Sequence, residues 1–270
     1  IRLSLVGSEM CIRDRISWIK SINANYEIGI DGISLPLLVL STFITVLAII
    51  YSIEHLPEPK SPKGFLALIL VLETGMNGTF VALDLILFFV FFEIVLLPMY
   101  FMIGIWGDKT VRTVSGFKNQ IETRLYASIK FFVFTLFGSA FMLLGFLGLY
   151  YRGNKTFSIP ELIELGTSGA FTGTFATLVF AVLFLGFAVK VPMWPLHTWL
   201  PDAHTAAPTV GSVLLAAILL KLGSYGFVRI AIPILPEQAK AWAPAIAILS
   251  AIGIIYGSLA CLAQTDLKRL

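Results

Sequence analysis

The sequence predicts an all-α protein: a polytopic membrane helix bundle of about seven transmembrane helices, one of them broken. Three observations predict it. Hydrophobic residues make up 57% of the 270, and mean hydropathy is +0.89. Only 13% of residues are charged, roughly half the share of a soluble domain. Apolar runs of roughly twenty residues recur along the chain, the length needed to cross a hydrocarbon core of about 30 Å.

Composition also excludes several functions. The formal net charge of +3 is scattered, with no basic run suited to nucleic acid. Cys11 and Cys261 make neither a disulfide framework nor a metal-ligand spacing. The chain carries no nucleotide-binding loop, no nucleophile elbow and no His/Cys cluster. A redox cofactor is therefore expected elsewhere or not at all.

The segment from Arg2 to Arg15, RLSLVGSEMCIRDR, resembles the translated end of a transposase-type sequencing adapter. Residues 1–15 are expected to be such an artefact and are set aside for fold reasoning. Both ends of the chain are expected to be cut. Residues 16–32 are mixed polar and aromatic, with Trp18 and Tyr26 suited to a membrane interface, and 33–270 form the membrane domain. Spans are expected at 33–54, 63–82, 84–106, 127–151, 173–194, 207–231 and 241–265. They read as helices because backbone groups in lipid must satisfy one another. Asp84 interrupts an otherwise continuous apolar stretch and predicts a tight interfacial turn.

Alternating spans gather Lys60, Lys63, Lys109, Arg112, Lys118, Arg124, Lys268 and Arg269 on one side. Arg152, Lys155 and Lys240 fall on the other, with Arg229 near its edge. The positive-inside tendency puts the first set in the cytoplasm. Between Val191 and Pro208 the pattern breaks. Pro192 and Pro195, followed by Pro201 and Pro208, cannot lie within one straight helix, because each removes a backbone donor and clashes with the preceding turn. A half-helix ending near Lys190, an irregular bridge and a short second helix are expected. Such breaks are tolerated where they are buried in protein or line a hydrated cavity.

Glu73, Glu93, Lys190 and Lys221 lie deep in apolar spans. A charge at the centre of a spanning helix costs about 2.5–3.5 kcal/mol on insertion scales. Each must pair, face a wet cavity or lose its charge; a static interhelical ion pair is the alternative to a functional role. Glu93 has a further peculiarity: Pro98, five residues on, frees the carbonyl of Ile94. Lys190 stands at the Pro192 break. Both sit at helix defects that can hold water. A buried lysine is pushed toward neutrality by desolvation and toward charge by a nearby carboxylate. A Glu93–Lys190 pair of variable separation therefore makes a proton switch, and Lys221 on the next span is the expected acceptor. His197 and His204, seven apart and expected on the short second helix, form a second tier as relays or anchors. Lys130, about one turn into the fourth span, Glu73 and Asp84 join that tier.

Five strings carry a resemblance: IGIDGISLPLLVL, LETGMNGTFVALDLILFFVFFEIVLLPMYFMIGIWG, ASIKFFVFTLFGS, GFAVKVPMWPLHTWLPDAHTAAPTVGSVLLAAILLKLGSYG and IGIIYGSLACLAQTDLKRL. They resemble the M-type antiporter-like subunits of NADH:quinone oxidoreductase, the counterparts of mitochondrial subunit 4. The resemblance implies a membrane-embedded Glu paired with a Lys on a broken helix and a further Lys beyond; these roles fall on Glu93, Lys190 and Lys221. It implies proton transfer driven by quinone reduction elsewhere in the complex. NADH, FMN, iron–sulfur clusters and quinone would sit on partner subunits, with no cofactor in this chain. Its partners would include the L- and N-type antiporter-like subunits, in a bacterial inner or plasma membrane. It also implies an intact protein of about fourteen helices built on two inverted five-helix repeats, of which this chain holds most of the first and the opening of the second. The loop 107–126 is longer than expected for that family. Three alternatives differ in mechanism: the large subunit of a multisubunit cation/proton antiporter, a non-transporting scaffold and an ordinary solute transporter.

Overall fold

The computed structural model describes residues 12–112, 121–265 and 268. Seven helical stretches among them are long and apolar enough to cross a membrane: Ser34–Glu54, Pro62–Val81, Leu85–Trp106, Thr123–Arg152, Gly173–Lys190, Thr209–Ile234 and Pro236–Leu262. The expected all-α bundle is found, and its spans fall within a few residues of those read from hydropathy. The fifth span stops at Lys190 rather than 194, because Pro192 cannot continue it, and the seventh starts at Pro236 rather than 241.

Strands β1 (Ile12–Ile19) and β2 (Ala24–Ile30) form an antiparallel hairpin at one end of the bundle, pairing Arg15 with Glu27 and Ile12 with Ile30. Residues 1–11 of the adapter-like segment lie outside the described residues; Ile12–Arg15 are the outer half of β1. A second pair, β3 (Val111–Arg112) and β4 (Ile121–Glu122), closes the base of the long loop. Residues 113–120 of that loop lie outside the described residues.

Helix α1 (Ser34–Glu54) is followed by α2 (Pro62–Val81), which starts on a proline whose missing donor costs nothing at a first turn. The third span divides into α3 (Leu85–Ile94) and α4 (Leu96–Trp106), with the division at Val95. Pro98 supplies no N–H to the Ile94 carbonyl, which accounts for the joint there. Helix α5 (Thr123–Arg152) is unbroken, and the short α6 (Ile159–Thr167) caps the same end as the hairpin. After α7 (Gly173–Lys190) come the bridge and α8 (Leu200–Ala206). The sixth span is irregular. It runs through α9 (Thr209–Leu214), a π-helical turn Leu215–Leu219, α10 (Leu220–Gly226), a second π turn Phe227–Ala231 and α11 (Ile232–Ile234). Helix α12 (Pro236–Leu262) ends the chain's spans and buries only Gln238.

The bundle core brings together phenylalanines from α2, α3, α5 and α7, among them Phe65, Phe80, Phe88, Phe131, Phe146, Phe180 and Phe187. Asp84, fully buried, is the turn residue expected between the second and third spans. Its carboxylate accepts from the N–H groups of Ile86 and Leu87 at 2.9 and 3.3 Å, capping α3, and from Asn25 N–H at 2.9 Å. Backbone bonds Leu83 N–H to Glu27, Leu85 N–H to Phe157 and Ile159 N–H to Leu83 lace this end together. At the opposite end Trp106 Nε1 donates to Pro59 and Asp108 N–H to Ala206.

Candidate functional site

Three helices approach one another closely enough to enclose a lysine. Without lipid-excluded water to drive them together, membrane helices pack through small residues, and the glycines here are placed for it. A Cβ on Gly138 of α5 would stand 2.8 Å from Val189 Cβ, and one on Gly186 of α7 would stand 2.8 Å from Met142 Cβ. A Cβ on Gly223 of α10 would lie 3.0 Å from Lys190 Cβ and 2.8 Å from Val191 Cγ2. Lys190, the last residue of α7, is thereby 3% exposed.

Its ammonium Nζ lies 4.9 Å from the centroid of the Phe92 ring. Glu93, next in sequence and in the last turn of α3, is half-buried and lies near Ser139 of α5, whose hydroxyl donates to Leu136 O at 3.0 Å. Glu93 and Lys190 lie within electrostatic reach of each other but form no direct ion pair within 4.0 Å. The ring face supplies what the carboxylate does not. Its negative quadrupole attracts a desolvated ammonium by about 2 kcal/mol.

The helix break is held by a residue that pattern reading passed over. Trp199 is fully buried in the bridge; its Nε1 donates to Val189 O at 3.0 Å and its ring packs on Phe131. The end of α7 leaves carbonyls without intrahelical donors, and Trp199 satisfies one of them beside Lys190. Met193 N–H closes back onto Ala188 O at 2.9 Å. The bridge containing Pro192 and Pro195 is thus a built turn, as the proline spacing predicts.

The remaining candidates separate. Lys221 is central in the sixth span, as expected, but its side chain is exposed and its Nζ donates to Ala216 O within the first π turn. It does not reach Lys190 directly. Lys130 pairs with Asp202 of α8, Nζ to Oδ2 at 2.8 Å, with both side chains about one-fifth exposed. Asp202 was not singled out from sequence, although it follows the Pro201 that starts α8. His204 lies on α8, and its carbonyl accepts from Ser212 Oγ. His197 does not share that helix. It sits in the bridge, its Nδ1 buried without a partner and its ring 5.3 Å from that of Tyr256. Pro201 starts a helix rather than continuing one, which explains the displacement. Glu73 is half-buried on α2 and makes no hydrogen bond or ion pair among the described residues. Among those residues no group of three or more His, Cys, Asp or Glu side chains could hold a metal.

His197 and Asp202 line a cavity of about 580 Å³ between the bridge and α12, together with Trp194, Thr205, Tyr256 and Gln264. The site thus combines an enclosed lysine, a carboxylate not locked to it and, at the helix break that follows, a cavity with His197 and Asp202 in its wall. That arrangement can bind, hold and release a proton.

Residues 82–270 match the family described as NADH:quinone oxidoreductase/Mrp antiporter, TM, and residues 8–79 match NADH-ubiquinone oxidoreductase chain 4, amino terminus. Over 268 residues the chain is 44% identical to NADH-quinone oxidoreductase subunit M of Rhodobacter capsulatus, covering 96% of this chain and 48% of that one. A chain of respiratory complex I from Thermus thermophilus superposes with a TM-score of 0.80 at 29% identity, over 97% of this chain and 51% of that one. A chain of the Mrp complex from Dietzia sp. DQ12-45-1b shares the fold, with a TM-score of 0.75 at 20% identity over 96% of this chain and 27% of that one. The chain spans about half the length of the curated relatives it matches. With its seven spans, its broken helix and these matches, the chain is a multi-pass membrane protein that belongs to the NADH:quinone oxidoreductase/Mrp antiporter transmembrane family.

Proposed function

We propose that this chain is part of an M-type subunit of a proton-translocating NADH:quinone oxidoreductase in a bacterial inner membrane, and that Lys190 and Glu93 form its switch. The observation that carries the reading is Lys190 itself: an amine enclosed to 3% exposure at the end of a broken helix, on an aromatic face, with Glu93 in electrostatic reach but unpaired. Bringing Glu93 nearer favours the ammonium; drawing it away favours the free amine. Each cycle loads and unloads one proton at Nζ.

Lys221 is the next station. It stands beside the π turn of the sixth span, where a carbonyl is diverted to its amine; such turns recur at functional sites. Asp202, in the wall of the cavity, and its ion-pair partner Lys130 are assigned to the loading side. NADH, FMN, iron–sulfur clusters and quinone belong to other subunits, and the L- and N-type antiporter-like subunits are the expected membrane neighbours. The deciding experiment recovers the full-length gene with its neighbours and compares Lys190→Ala with wild type in inverted membrane vesicles. A relay assembles and oxidises NADH while proton uptake falls. A scaffold fails to assemble, and a wild-type gradient from the variant rejects the relay.

A further inference from the structure

Three stacked rings connect Lys190 to a second buried cation. Phe92, under the Lys190 ammonium, stacks on Phe88 with centroids 5.7 Å apart and planes 26° from parallel. Phe88 stacks on Tyr225 of α10 at 6.4 Å and 22°. The Arg229 guanidinium lies 5.4 Å from the Tyr225 centroid. All three rings are at most 3% exposed.

The far end of this column is fixed at several points. The Tyr225 hydroxyl donates to Phe80 O at 2.7 Å and accepts from Arg229 Nε at 3.0 Å. Arg229 Nη2 pairs with Asp31 Oδ2 at 2.6 Å, with side chains 11% and 9% exposed. Asp31 is itself immobilised, its Oδ1 accepting the N–H groups of Ile33 and Ser34 at the start of α1. The column therefore joins the entrance of the first span, the end of the second and the second π turn of the sixth to the ring on which Lys190 rests.

We propose that Asp31, Arg229 and Tyr225 are positioning residues for Lys190, acting through the orientation of Phe88 and Phe92. The strength of a cation–ring contact depends on the ammonium standing over the ring face. Phe92 carries no polar atom to fix its own plane, so its plane is set by its stacking partner, and that of Phe88 by Tyr225. Phe187, one turn before Lys190, meets Phe88 edge-on at 6.4 Å and holds the column from the side. Among the groups facing Lys190, Glu93 from α3 is the charged one, α10 contributes Gly223, and α5 presents Gly138 against the neighbouring Val189. A change at the ring column therefore reads out at Lys190 against a single carboxylate.

The inference rests on the relay reading of Lys190. Its test uses the full-length subunit in the assembled complex, with proton pumping per NADH oxidised followed against pH. Phe92→Leu removes the ring face and moves the alkaline limb of the profile to lower pH by about half a unit or more. Tyr225→Leu moves it in the same direction, Tyr225→Phe moves it less, and Tyr225→Leu with Phe92→Leu moves it no further than Phe92→Leu alone. A Tyr225→Leu profile superimposable on wild type, or shifts that add in the double variant, overturns the proposal. Should Tyr225→Leu not assemble, Asp31→Asn with the same readout decides. Full pumping by Lys190→Ala rejects the relay itself. Loss of pumping there with unmoved Tyr225 and Asp31 profiles rejects only the positioning role.

Discussion

Lys190 and Glu93 are near neighbours that do not touch: the ammonium rests on the face of Phe92, and the carboxylate one residue on makes no ion pair with it within 4.0 Å. A locked ion pair would hold the proton permanently. An unlocked one can exchange it, which makes both side chains testable separately.

Glu93→Gln keeps the shape but removes the charge. Assembly is expected to be unchanged. Proton transfer is expected to fall about a hundredfold, the lower range for losing an acid–base group. Pumping in vesicles at matched NADH oxidation measures it, and an unaltered rate contradicts the switch.

Gly223→Ala tests the seam against Lys190. The new methyl would lie 2.8 Å from Val191 Cγ2 and 3.0 Å from both Lys190 Cβ and Phe187 O. Two of those neighbours belong to a helix end that cannot retreat freely. Overpacking of this kind costs about 1–3 kcal/mol, so the detergent-solubilised subunit should melt several degrees lower. An unchanged melting temperature shows that the seam is looser than these distances.

Trp199→Phe retains the ring on Phe131 but removes the donor to Val189 O. A buried carbonyl left unsatisfied costs about 1–3 kcal/mol. The local effect is fraying of the last turn of α7, read as faster amide exchange at residues 187–190. Exchange equal to wild type refutes the capping role.

Acid should release the clamp at Asp31. Burial works against its charge, but the Ser34 N–H, the hydrogen bond and charge of Arg229 and the Ile33 N–H outweigh it, holding the carboxyl below its usual value. A carboxyl depressed in the folded state contributes stability that is complete above its unfolded value, about 3.9, and is lost as pH falls through the folded value. Thermal stability should therefore fall in acid below about pH 4. Asp31→Asn should lose about 3 kcal/mol at neutral pH, as expected when one member of a buried pair is removed, and show a flatter acid limb. Parallel limbs in the two proteins dismiss the clamp.

The seven spans were legible because hydropathy reports transfer into lipid directly, and the break because two prolines three apart leave a helix no alternative. Glu93 and Lys190 stood out by the same logic, each next to a proline-made defect. Facing was harder. Two π turns lie in the sixth span, and each admits an extra residue, swinging the rest of the helix by about 100°; nothing in LLAAILLKLGSYGFVRIA marks them. Lys221 therefore came out at the expected depth but on an exposed face. The Lys130–Asp202 pair spans 72 residues of sequence and the Asp31–Arg229 pair 198, so neither is visible in any local pattern. Pro201 did mark where α8 begins, and with it the exclusion of His197.

Interlocked glycines leave α5 and α7 no room to slide, since either helix would have to climb over the other's side chains. The carboxylate rides on a different support, the final turn of a ten-residue segment that parts from its continuation at Val95. Compliance in this neighbourhood is thus concentrated behind the acid rather than behind the base. The amine is the fixed electrode of the pair, and the acid is the one mounted on a flexure.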